Sequence, residues 1–143
     1  MKHSSLMLAL MIVLAAANGY SIDKKAASDH RMAASLQDLV SGIVSGARTE
    51  KALSSIDAEA YMIDGKNMGP LRDAVRGTAS ACLVVEGKDS KIDFQSLIIA
   101  DDKSSAFMVM KTTSPRFGVR YHSIVFFHDR SNGWKIKNWH ASN

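Results

Sequence analysis

The sequence predicts an α+β fold in which N-terminal helices cover one face of a mostly antiparallel sheet. Three observations carry this. Apolar residues recur at three- and four-residue intervals over the stretch from Asp29 to Arg48. From Lys91 onward, β-branched and aromatic runs alternate with polar turns. The last two runs, Tyr121–His128 and Trp134–Ser142, flank Asp129-Arg130-Ser131-Asn132-Gly133, which contains the strong turn pair Asn-Gly.

At 143 residues and 46% hydrophobic, the chain fits one globular domain that is long enough to bury a core. The net charge of +4 is scattered rather than massed in a stripe, and no stacking platform accompanies it, so nucleic acid is not an expected partner. The first residues read as a targeting segment. Met1 to Ser5 form a short positive region, and Leu6 to Ala17 is an uncharged apolar run of 12 residues, too short to span a bilayer. Small residues follow, so cleavage after Ala17 or after Gly19 would leave an exported chain with no stable membrane span; the alternative is an uncleaved N-terminal anchor. The expected organisation is a signal peptide over 1–19, a polar lead-in over 20–28 and a single domain over 29–143.

In the first helix, Met32, Leu36, Leu39, Val40, Ile43, Val44 and Ala47 form one apolar stripe, and Ser28 or Asp29 can cap its start. Gly42 and Gly46 weaken its end or admit a close backbone neighbour. A shorter helix is predicted from Thr49, as N-cap, to about Ile56. A strand over Ala58–Asp64 then runs into an Asp-Gly turn and a loop. Pro70 opens a third helix that closes at Gly77. Ser80–Glu86 reads as a short apolar strand. Lys91–Ala100, Ala106–Thr113 and the two C-terminal arms complete a four-stranded antiparallel meander.

The only cysteine, Cys82, has an apolar context that favours a buried, inert thiol over a nucleophile. No CxxC, HExxH or cluster of His and carboxylates at ligand spacing occurs, so neither a metal nor a cofactor is expected.

The order of elements, with Ile63-Asp64-Gly65 after the helices and the ending Gly133-Trp134-Lys135-Ile136-Lys137-Asn138-Trp139-His140-Ala141-Ser142, resembles the nuclear transport factor 2-like superfamily of the cystatin-like fold, in its polyketide-cyclase-like or uncharacterised secreted branch. The resemblance implies a strongly bent sheet wrapped round the long helix, with a conical cavity that serves in some relatives as an active site and in others as a binding pocket. It also implies that Asp64 lies near the place where ketosteroid-isomerase-like members carry their general base. Function itself must be argued from the site.

Candidate site groups are few. His140 titrates near neutrality and could act as base or ligand anchor, or be a strand-end histidine bonded to backbone. Asp64 could pair with it in catalysis, or simply satisfy backbone N–H groups in its turn. If Asp129–Gly133 forms a five-residue loop, His128 faces Trp134, Phe126 faces Ile136, Ile124 faces Asn138 and His122 faces His140, all on one side of the sheet. If Asn132-Gly133 is a two-residue loop, Val125 faces His140 and His122 points the other way. Tyr61, His122, Trp134 and Asn138 are the expected pocket residues. Trp134 and Trp139 differ in strand parity, so one can line the cavity while the other packs outside.

Three functions follow from this reading: an exported domain that binds a small apolar or amphipathic ligand, a lyase or isomerase using Asp64 and His140, and a structural dimerisation module. A homodimer through the sheet is expected, because helices cover only one face of it. Export has a direct check. The intact mass of the secreted protein should correspond to a chain starting near Asn18 or Tyr20, and a mass that still includes Met1–Ala17 would overturn the expectation.

Overall fold

A computed structural model of the chain describes residues 28–47, 50–78 and 82–143. The expected signal peptide, the lead-in up to residue 27 and the Thr49 cap lie outside the described residues. The chain divides into two compact units, Met1–Ala34 and Ser35–Asn143. Of the first unit only 28–34 are described, and they are helical. The second unit holds every other element.

Helix α1 covers residues 28–45, followed by α2 (Glu50–Ser54), β1 (Ile56–Asp64), β2 (Asn67–Pro70), α3 (Leu71–Arg76), β3 (Lys91–Ile99), β4 (Ser105–Ser114), β5 (Gly118–Asp129) and β6 (Gly133–Ser142). The strands form one curved, open six-stranded sheet in the order β2-β1-β6-β5-β4-β3. The predicted meander is present as β3 to β6. It is extended by β1, which pairs parallel to β6, and by β2 on the far edge. The architecture is α+β, as the sequence indicates.

The apolar stripe of α1 supplies Leu36, Val40, Ile43 and Val44 to the core, while Ala47 lies beyond the helix and is exposed. Gly46 ends the helix at φ 97°, with its N–H on the Ile43 carbonyl at 3.1 Å and the Ala47 N–H on the Gly42 carbonyl at 2.8 Å. That double bond pattern needs a left-handed residue, and a side chain at Gly46 would also press on Val85 at 3.3 Å. Helix α2 stops at Ser54, so Ile56, expected on its inner face, is instead the first residue of β1 and is fully buried there. The Asp-Gly turn folds β1 back on β2, with Asp64 paired to Asn67 and Gly65 at φ 60°, so a second strand replaces the expected loop.

Two further expectations are corrected. Residues 82–86 form no strand; their backbone bonds go elsewhere, including the Glu86 N–H to the Val44 carbonyl at 2.8 Å. The terminal hairpin follows neither simple register. Next to the turn, His128 pairs with Trp134 and Phe126 with Ile136, as in the five-residue loop; beyond it Val125 pairs with Asn138 and Ile124 with Trp139. Lys137 is therefore the extra residue of a bulge, and every side chain after it changes face. Trp139 is consequently fully buried on the same side as Ile136, and His122 pairs with Ala141 rather than His140. The turn is held by Asp129, whose carboxylate accepts bonds from the Ser131 hydroxyl, the Ser131 N–H and the Asn132 amide; these hold its pKa down at about 2.

The concave face of the sheet carries Met62, Met108, Met110, Ile124, Phe126, Ile136 and Trp139, all fully buried. The opposite face leaves Tyr61, Ile98, Phe107, Tyr121 and Phe127 exposed. The register gives a direct test in two neighbouring phenylalanines. Phe126→Ala should cost about 3–5 kcal/mol in urea unfolding, whereas Phe127→Ala should cost less than about 1 kcal/mol; equal losses would contradict the face assignment.

Candidate functional site

The concave side of β5 alternates Arg120, His122, Ile124 and Phe126, so two polar residues follow the same inward parity as two core residues. On β4 the corresponding row is Met108, Met110, Thr112 and Ser114, and Thr112 lies opposite Arg120 in the pairing. Asp64 ends β1 on this face, opposite Ala141. Glu86 arrives from the irregular segment after α3, which is anchored to the end of α1 by its own backbone. Three parts of the chain thus bring titratable side chains to one place, and β4 adds the Thr112 hydroxyl.

The resulting network is continuous. Trp139 Nε1 donates to His122 Nδ1 at 3.1 Å, with the two rings edge to face. An indole N–H can only donate, so Nδ1 is the acceptor of this bond. His122 Nε2 then faces Thr112 Oγ1 at 2.8 Å and Glu86 Oε1 at 3.3 Å. Thr112 donates its hydroxyl to Glu86 Oε1 at 2.8 Å. Arg120 Nη1 bonds the Leu83 carbonyl at 2.9 Å and reaches Glu86 Oε1 at 3.4 Å, while Nη2 bonds Asp64 Oδ1 at 2.9 Å. The second Asp64 oxygen accepts the Leu83 N–H at 3.2 Å. The Arg120 guanidinium also lies over the Phe117 ring, 4.7 Å from its centre.

Glu86 is the unusual member. Its side chain is completely buried, Oε1 collects all the donors, and Oε2 has no hydrogen-bond partner among the described residues. Burial alone would raise its pKa; hydrogen bonds from His122 and Thr112, with the electrostatic influence of His122 and then of Arg120, outweigh burial and hold the carboxyl below its ordinary value.

The sequence-derived candidates do not converge. Asp64 faces the concave side and is ion-paired with Arg120, whereas His140 is paired with Ile63 and Ser123, exposed on the opposite face. The sheet separates them, so they cannot act as one catalytic pair. His122 is in the concave network. Tyr61 and Asn138 meet each other at 3.5 Å on the outer face, where Tyr61 borders an open hollow of about 470 Å³ next to Met68 and Pro70. Trp134 stands half-buried at the hairpin tip, edge-on to His128 with ring centres 5.1 Å apart. Cys82 is buried, its Sγ 3.8 Å from the Met62 carbonyl, and burial raises the thiol pKa, in keeping with an inert role.

The fold has solved counterparts. An NTF2-like protein of unknown function from Methylobacillus flagellatus KT superposes with a TM-score of 0.60 at 12% identity, over 80% of this chain and 91% of its own. One from Shewanella baltica OS155 gives 0.58 at 10% identity, over 81% and 93%. A cystatin-like protein of unknown function from Nostoc punctiforme PCC 73102 gives 0.56 at 12%, over 81% and 91%. No protein-family model and no curated protein matches the sequence. The chain therefore has the NTF2-like, cystatin-like α+β fold, and at these identities the likeness extends to the fold alone.

Arg120 is the network's only guanidinium. Arg120→Met should destabilise the protein by about 3–5 kcal/mol near neutral pH, because Asp64 and Glu86 lose the cation between them. The sign of the pH dependence follows. In the wild type, the folded pKa of Glu86 lies below its ordinary 4.5, so its contribution is complete above 4.5 and is lost as pH falls through the folded value. In the variant the orphaned carboxylates gain by protonation, so the gap between the two proteins should narrow on acidification. Urea unfolding across pH checks this; a gap that is constant or below about 1 kcal/mol would refute it.

Proposed function

We propose that the protein is a small-ligand-binding domain that receives an apolar or amphipathic molecule against the concave face of its sheet, beside the Glu86–Arg120–His122 network. One observation carries the reading: among the described residues Glu86 Oε2 is a fully buried acceptor without a donor, in a network whose other groups are partnered. A buried polar atom left unpaired costs about 1–3 kcal/mol, more when charged, and a bound donor removes that cost.

The separation of Asp64 and His140 by the sheet removes the support for a lyase or isomerase built on that pair. The expected homodimer keeps a specific support and is proposed alongside binding. Ile98 and Phe107 are cross-strand partners, both exposed, and Phe127 and Tyr121 lie on the same outer face, exposed to 46% and 50%.

Native mass spectrometry of protein purified from its own host addresses both. The expected species is two chains, each retaining one non-covalent small molecule that is released on unfolding. Chains that fly without any adduct would overturn binding, and a single-chain mass at micromolar concentration would overturn the dimer.

A further inference from the structure

We propose that the hollow at the β1–β2 end of the sheet is a separate binding site, and that it takes a small apolar amine whose ammonium group pairs with Glu59. The site lies apart from the concave network and does not depend on it. Its space has a structural origin. Pairing between β1 and β2 stops at Tyr61 and Pro70, and the chain then enters α3 at Leu71. Beyond that point β1 and β6 lose register: residues 57–60 of β1 lie between the Ile56–Ile136 and Tyr61–Asn138 pairs, where β6 has Lys137 alone. An excess of that kind bends its strand. Between the bent segment and the end of β2 lies the open hollow of about 470 Å³, a volume in the range of small-molecule sites. The chain holds this shape by itself. Asp57 takes Lys137 Nζ on Oδ2 at 3.2 Å and the Glu59 N–H on Oδ1 at 3.0 Å, and Arg72 donates to the Ile56 carbonyl through Nε at 3.2 Å and Nη2 at 2.8 Å. A ligand would therefore meet a preformed site.

The lining then decides the chemistry of the ligand. Ala60, Tyr61, Met68 and Pro70 give apolar surroundings for its body, and Tyr61 and Met68 are 41% and 72% exposed, so these walls are open to an entering molecule. Glu59 is the one charged residue of the lining; it is exposed, and its carboxylate has neither an ion pair nor a hydrogen bond among the described residues. The cations at this end of β1 are committed elsewhere: Lys137 to Asp57, Arg72 to the Ile56 carbonyl and Lys135 to the Ser54 carbonyl. A ligand carboxylate would thus meet its own sign of charge in the lining, and an alcohol would bond Glu59 without answering its charge. An ammonium supplies donor and opposite charge together, in a charge-assisted hydrogen bond. Because Glu59 is exposed, solvent screens the pair, and the preference for an amine should be several-fold rather than many orders. The exposed Ile98 and Phe107 belong to β3 and β4, at the other end of the sheet order, so the hollow is not part of that patch.

Three matched probes test this: benzylamine, benzyl alcohol and phenylacetate, titrated at neutral pH and low salt into the whole protein carrying methyl-labelled methionine. Met68 is the only methionine of the lining, so its methyl signal should shift while those of the buried Met108 and Met110 stay in place. The amine should bind at least about threefold more tightly than the alcohol, and the carboxylate most weakly of the three. Glu59→Gln should bring the amine down to the level of the alcohol and leave the alcohol unchanged; the residue is exposed, so the variant keeps the fold. Equal binding of amine and alcohol, or an amine preference that survives Glu59→Gln, would overturn the ligand class. No Met68 shift with any probe, or shifts at Met108 and Met110 in its place, would overturn the site. Neither result bears on the concave reading, which stands or falls on the native spectra.

Discussion

The Arg120 guanidinium is the interaction on which the rest of the concave side depends. It extends from β5 and ties the end of β1, through Asp64, to the irregular segment before β3, through the Leu83 carbonyl and Glu86. That segment has no strand ladder to hold it. Its backbone instead uses the Val44 carbonyl at the end of α1, the Asp64 carboxylate, Arg120, and Arg116, which bonds the Val85 carbonyl at 3.2 Å. Arg120 on β5 and Arg116 in the turn before it thus do for residues 82–86 what sheet pairing does elsewhere, and Glu86 is delivered to a fixed place.

A second constraint, the bulge at Lys137, determines which chemistry is buried. Without the extra residue the alternation of β6 would put Trp139 on the outer face with Lys135 and Lys137, and bring His140 inside. With it, the indole N–H meets His122 Nδ1, while His140 is exposed. A backbone irregularity of one residue therefore keeps His140 on the outer face and brings the Trp139 indole against His122.

Much of this fold was legible in the sequence because it rests on periodicity. The stripe of α1 and the alternation of β3 to β6 are local patterns that survive into the structure within a residue or two. Strand β2 was not legible: Asn67-Met68-Gly69-Pro70 has neither β-branched residues nor alternation, and it is a strand only because the turn at Gly65 lays it along β1. The predicted strand over Ser80–Glu86 misled in the opposite direction, since in its described part, residues 82–86, Val84 is fully buried by loop packing with no strand around it. Within the site, Arg120 and Thr112 did leave a signal, because each falls on the inward parity of its strand, where a polar residue needs a buried partner. Glu86 left none, as no periodicity governs its segment, and Asp64 and His140 were mispaired because the Lys137 bulge is invisible to a count of residues.

The network is not explained by stability. Removing one partner of a buried ion pair is costly, yet replacing a whole buried polar cluster with well-packed apolar residues is often neutral or favourable. The Met-, Ile- and Trp-rich surroundings of Thr112, Arg120 and His122 are the kind of core into which such replacements fit. A network retained for packing or tethering would also distribute its donors so that both oxygens of its deepest carboxylate were bonded, as both oxygens of Asp64 are. Glu86 departs from that arrangement: three donors crowd one oxygen and none reaches the other. The asymmetry sets Glu86 apart from Asp64 in role as well as in depth. Asp64 closes the tether between β1 and β5, and Glu86 is held by that tether with Oε1 bonded and Oε2 without a hydrogen-bond partner among the described residues.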